Sequence, residues 1–258
     1  MLHLTGAELM SWVAGLLWPF LRVGAMFLAA PLFGAQSVPV RVRLGLSLLL
    51  AWILMPLLPP PPAIDLLSLP ALLVAFQQVV IGLAMGFVLQ LVFAALVVAG
   101  QTIAMSMGLG FASIVDVING VQVPVVSQYF LILSTLLFLS LNGHLVLIEV
   151  LAESFRSLPV GLDGLAREEF WQLAGWGAEM FAGALLIALP AVMSLLLVNL
   201  AFGVVTRAAP QLNIFAVGFP VMMLVGFAVI FLTLPGLTDH VEALLTAAFG
   251  LMRGITGG

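Results

Sequence analysis

Residues 69–100 read LPALLVAFQQVVIGLAMGFVLQLVFAALVVAG and carry no charged side chain. As a helix, the stretch from Leu69 to about Val98 spans about 45 Å, whereas the hydrocarbon core of a bilayer is about 30 Å thick. A water-soluble helix needs a polar face at 3.6-residue spacing. Here Gln77, Gln78 and Gln90 are the only polar side chains. The run therefore reads as a membrane helix too long to cross upright. Strong tilt, a break near Gly82 and Gly86, or cover by protein instead of lipid would each accommodate the excess. Cover by protein is the favoured expectation.

The rest of the chain repeats this pattern. Charge-free gaps occupy residues 23–40, 44–64, 66–115, 117–148, 180–206 and 208–238. Their lengths are 18, 21, 50, 32, 27 and 31 residues, against the roughly 20 that a membrane span requires. Of the 258 residues, 64% are apolar and 7% charged, and the mean hydropathy is +1.30. That leaves too little charge to coat a water-facing surface and far too much hydrophobicity for disorder. A net charge of −4 without a basic cluster excludes nucleic-acid binding. Zero cysteines exclude disulfides, thiolate metal sites and cysteine nucleophiles. Lipid cannot satisfy free backbone groups, so lipid-facing stretches must be helical. The expected fold is all-α: a polytopic α-helical membrane protein of about six long hydrophobic helices with a broken or re-entrant segment.

The first eight residues, MLHLTGAE, lack the positive n-region of a signal peptide, and no lipidation signal is expected. Six helices are predicted, over about 9–33, 44–58, 69–98, 125–150, 178–205 and 214–235. A turn over 34–43 carries Pro39, Arg41 and Arg43. The run PLLPPPP, residues 56–62, reads as a stiff extended connector. Residues 157–179 form the one well-solvated segment, in which Asp163 is placed to cap a short helix opening with Glu168 and Glu169. The tail 236–258 is weakly amphipathic. No internal repeat of 20–50 residues is visible. The chain therefore reads as a single membrane domain over residues 1–258, with loose halves 1–124 and 125–258. Arg41, Arg43 and Arg207 fall on one side of such a topology and Arg156, Arg167 and Arg253 on the other. With arginines equally divided, the positive-inside rule assigns no orientation.

Residues 100–124, GQTIAMSMGLGFASIVDVINGVQVP, are too polar and glycine-rich for a simple span. Irregular backbone at membrane depth must be buried in protein or line a cavity. Met105, Met107 and Phe111 around the glycines suit a seal, because methionine adapts to gaps. They would also serve as ordinary core. Arg22, in the middle of the first helix, would cost roughly 2.5–3.5 kcal/mol facing lipid. It reads first as half of an interhelix or intersubunit pair, with Glu8, Asp116 or a carboxylate of another chain, and otherwise as an ion-path residue. Asp116 is the lone acid of residues 66–148; beside Asn119-Gly120 it reads first as a turn former. Gln77, Gln78, Gln90, Gln101 and Asn199 are suited to bonding across helix interfaces. No HExxH, GxSxG or paired-aspartate pattern supports catalysis, and His3, His144 and His240 stand apart. No enzyme activity, metal or cofactor is expected.

Four stretches together carry a family likeness: PFLRVGAMFLAAPLFG (19–34) followed by Pro39 and Arg43; GQTIAMSMGLGFASIVD (100–116); FLSLNGHLVLIEVLAESF (138–155); and residues 184–220, ending TRAAPQLNIFAVGFP. In this order they resemble the FliR family of export-gate membrane proteins, which has flagellar members and relatives in virulence-type injection systems. The most specific piece is R-x-x-P-Q-x-N-x-F, formed by Arg207, Pro210, Gln211, Asn213 and Phe215. Asn142, Gly143 and His144 with Ser154 and Phe155 add to it. The likeness covers about residues 5–250. One departure is Val117, where the family often has a proline shortly after the acid.

The resemblance implies a non-enzymatic subunit of a type III protein-export gate, a multi-pass protein of the bacterial inner membrane at the flagellar basal body. Family members join FliP and FliQ in a helical, cone-like assembly that works with FlhB and FlhA and passes unfolded flagellar proteins. The family's glycine-rich plug maps by position to Ser106, Met107, Gly108, Leu109, Gly110, Phe111 and Ala112, with Met105 beside it. Neighbouring subunits as well as lipid would then cover the apolar helices. The alternative from residues alone is a stand-alone secondary transporter with a path through Arg22 and Asp116.

Overall fold

The computed structural model describes residues 6–35, 38–62, 64–109, 125–208 and 214–257. Among these residues the chain forms α1 (Gly6–Ala29), α2 (Val40–Leu54), a 3-10 turn (Met55–Leu57), α3 (Leu69–Ser106), α4 (Val125–Ser140), α5 (Gly143–Ser157), α6 (Arg167–Ala208) and α7 (Ile214–Ile255), and no strand. Five of the helices are long and apolar enough to cross a membrane, and the pair α4–α5, bent by 67°, makes six if it counts as one span. The chain is a polytopic all-α membrane protein.

Charge placement fits the helix dipoles. Glu168 and Glu169 lie in the first turn of α6, while Arg156, Arg207 and Arg253 lie in the last turns of α5, α6 and α7. The proline run leaves α2 through the 3-10 turn and becomes extended at Leu58, because the ring of Pro59 disfavours the helical conformation in the residue before it.

Several predicted boundaries need correction. Gly100 does not end the third helix: α3 continues to Ser106. A side chain at Gly100 would come within 2.8 Å of Ser127 Cα, so the missing Cβ admits α4 instead of loosening the backbone. The fourth helix is not continuous to 150. Asn142 adopts φ 56°, ψ 23°, a left-handed conformation that asparagine tolerates better than most residues, and there the helical ladder stops and turns. The sixth helix of this structure starts at Arg167 and runs without interruption to Ala208, so residues 167–177 are its polar opening and not a separate short helix capped by Asp163. The tail joins α7, which passes through Pro220 and Pro235 to Ile255. Arg41 and Arg43 lie in α2, not in a turn before it.

The chain divides into two compact units. The first comprises Met1–Leu91, Asn142–Gly177 and Leu245–Gly258; the second comprises Val92–Leu141 and Ala178–Leu244. In the first unit, α1 and α3 approach closely at Gly82 and Gly86. A Cβ at Gly82 would collide with the Arg22 carbonyl, and one at Gly86 would lie 2.6 Å from the Met26 carbonyl oxygen and from Ala29 Cβ. The glycines thus admit a neighbouring backbone and do not break the long helix. In the apolar 18-residue stretch of α3, 61% of residues are buried by this chain itself.

Candidate functional site

Two groups of the singled-out residues have defined surroundings, one in each unit. In the first unit Arg22 is fully buried. Its Nε donates to Gln78 Oε1 at 2.8 Å, its Nη1 to the Ser154 carbonyl at 2.8 Å and to Ser154 Oγ at 3.1 Å, and its Nη2 to the Leu158 carbonyl at 3.0 Å. The guanidinium also lies 4.1 Å from the centroid of the Phe155 ring. The partners are neutral. Ser154 and Leu158 are at the C-terminal end of α5, where the dipole is negative; the Leu158 carbonyl lies beyond the last turn, and the Ser154 carbonyl also accepts the Leu158 amide at 3.0 Å. Arg22 therefore reaches from α1 to cap α5, while Gln78 holds it from α3. Next to Gln78, Gln77 donates from Nε2 to the Leu162 carbonyl, so the segment leaving α5 is fastened to α3 as well.

Arg43 closes the α1–α2 connection, donating from Nε to the Phe33 carbonyl at 2.9 Å and from Nη2 to the Ala35 carbonyl at 3.3 Å. An ion pair that the sequence did not suggest joins Arg253 Nε to Glu153 Oε2 at 2.8 Å. It is half exposed and so worth at most about 1 kcal/mol.

In the second unit lies the end of α3. Ser106 Oγ donates back to the Thr102 carbonyl at 2.9 Å. The Gly108 amide donates to the Met105 carbonyl at 3.1 Å and the Leu109 amide to the Ala104 carbonyl at 3.0 Å. With Gly108 at φ 82°, these two bonds form a Schellman motif that satisfies the last carbonyls and turns the chain sharply. The two methionines beside it differ. Met105 is 57% exposed, whereas Met107 is fully buried. Met107 packs onto α7 where Gly226 presents no side chain: a Cβ there would lie 2.5 Å from Met107 Cγ and 2.7 Å from its Sδ and Cε. Phe219, earlier in α7, borders Gly108. Sequence reasoning did not single out Phe219 or Gly226. An isolated glycine inside an apolar helix often has a packing reason, and that was the available signal.

The other positions that the resemblance assigns to a plug, Gly110, Phe111 and Ala112, lie outside the described residues, as do Asp116, Pro210, Gln211 and Asn213. Arg207 is exposed in the last turn of α6. The structure therefore does not bring Arg22 and Asp116 into one described site. Among the described residues no three metal-ligating side chains cluster.

A family model described as "Bacterial export proteins, family 1" matches residues 13–248. The chain is 39% identical to the flagellar biosynthetic protein FliR of Escherichia coli (strain K12) over 255 residues, covering 99% of this chain and 97% of that one. It is 37% identical to the FliR protein of Pectobacterium carotovorum subsp. carotovorum, with 99% and 97% covered. It is 31% identical to that of Bacillus subtilis (strain 168), with 92% of each covered.

Proposed function

The chain belongs to the bacterial export proteins, family 1, and from that premise we propose that it is a membrane subunit of the flagellar protein-export gate, assembling with FliP and FliQ into the conduit for unfolded flagellar proteins. The observation that carries this reading is near-complete coverage, 97% of the Escherichia coli FliR protein, at 39% identity. FlhB and FlhA complete the apparatus in this reading. The protein sits in the bacterial inner membrane at the flagellar basal body, and its work is mechanical and not catalytic. The turn at the end of α3, Met105 to Leu109, begins the seal of the channel.

The transporter alternative draws no support from Arg22. Its hydrogen bonds are spent on the protein's own carbonyls, hydroxyl and amide, so it is engaged as a fastener. Three measurements test the gate reading. Extracted in mild detergent from cells that also make FliP and FliQ, the chain should emerge with both in one large particle. A monodisperse chain that folds alone in a nanodisc and moves a small solute unaided would overturn it. Removing Ser106–Leu109 should make the assembled complex leak small solutes, and an equally tight membrane would refute the sealing role.

A further inference from the structure

We infer that the seat of Met107 against Gly226 is a catch: it holds the seal turn to α7 in the closed gate and must disengage for export. This rests on the sealing role proposed above and adds the element that controls it. Met107 is the side chain of the seal turn that is fully buried, while Met105, two residues earlier, is mostly exposed. The seat exists because position 226 is glycine; any larger residue would occupy the space that holds Met107 Cγ, Sδ and Cε. The turn that follows is fixed by Gly108, whose φ of 82° L side chains rarely adopt, and Phe219 of α7 borders that turn.

The stretch of α7 that carries this seat is bounded by Pro220 and Pro235. Each proline removes one amide from the helical ladder, and helices kink at such points. The segment between them is therefore a short rod with a weak joint at each end. The start of α4 borders the same rod: Val125, Val126 and Tyr129 share a cavity of about 290 Å³ with Phe227, Ile230 and Phe231. The end of α3 and the start of α4 thus both abut one rod. A flexible, unbranched methionine is suited to leaving and re-entering such a seat, since its thioether adapts to irregular gaps. Met107 and Gly226 are positioning residues for the seal.

The chain has no cysteine, so the double variant Met107→Cys, Gly226→Cys carries the subunit's only two thiols. In membranes holding the assembled complex, oxidation should join them, abolish export and leave the membrane tight, and a reductant should restore export. A cross-linked complex that exports like the reduced one would overturn the catch. A second variant covers failure of the first to assemble. Gly226→Leu should make the assembled complex leak, and adding Met107→Ala should return it to tightness; a tight Gly226→Leu complex would overturn the proposal. The Ser106–Leu109 deletion separates the layers. If that deletion leaks but the cross-link does not stop export, the catch alone is wrong. If the deletion stays tight, the sealing role and the catch fall together.

Discussion

A guanidinium with no exposed surface has to be answered by enough acceptors, and Arg22 finds them in the C-terminal carbonyls of a helix. Four hydrogen bonds and an aromatic face converge on it from α3 and the end of α5. Arg22→Ala would strand the buried Gln78 Oε1 at about 1–3 kcal/mol; the Leu158 carbonyl is only partly buried and the Ser154 carbonyl keeps the Leu158 amide, so both lose less. The expected loss of about 2 kcal/mol or more should appear as a lower unfolding temperature in detergent and a reduced yield of the complex. A complex assembled in full but inactive would instead point to an ion path. Arg22→Lys should recover only part of the loss, because a single ammonium cannot reproduce the planar fork. The sequence exposes the problem, a charge amid lipid-soluble residues, but not its solution. Carboxylates can be counted in a sequence, whereas carbonyls freed at a helix end exist only once the helix ends.

Among the elements, the existence of each long helix was legible in the charge-free gaps, and its ends were not. Pro235 and Gly100 read as punctuation, yet helices continue through both. In an apolar setting the alternative to a helix is an unsatisfied backbone, which costs more than a kink. The polarity of residues 167–177 likewise described solvation and not the absence of helix. Glycine has two different meanings here, and they predict opposite signs. Gly82 faces the α1 backbone, so Gly82→Ala should destabilise by about 1–3 kcal/mol through overpacking that no rotamer can relieve. Gly175 in α6 has nothing within 4 Å of the Cβ position, and Gly175→Ala should stabilise by about 0.5–1 kcal/mol. Thermal unfolding of the two variants side by side checks the pair; equal effects would mean that the α1–α3 approach is not tight. Of the candidate site, the Met-Gly turn was legible because Gly108 and its neighbours have an unusual composition for a span. Its partner on α7 was not, because Gly226 sits in an apolar run where any face could be the packed one.

For the whole molecule, the decisive quantity is apolar surface left uncovered. In the apolar 18-residue stretch of each helix, only 17% of residues in α2, 22% in α7 and 33% in α6 are buried by this chain, against 50% in α1 and 61% in α3. Leu224, Phe231 and Leu232 on α7 are more than two-thirds exposed. A bilayer would cover such faces without selectivity, whereas sibling subunits would cover them with packed side chains at core density. A photoactivated carbene dissolved in the lipid tells the two apart, one position at a time. Leu224, Leu232 and Trp52 should be labelled by it when the chain is made alone, because lipid admits the reagent and a carbene inserts into C–H bonds without needing a thiolate. In membranes that also contain FliP and FliQ, positions buried between subunits should become protected, and those still facing lipid should not. Protection at one or more of these sites on assembly is the expected result. Identical reactivity at all of them, with and without the partners, would assign these faces to lipid and remove the physical reason for expecting siblings around this chain.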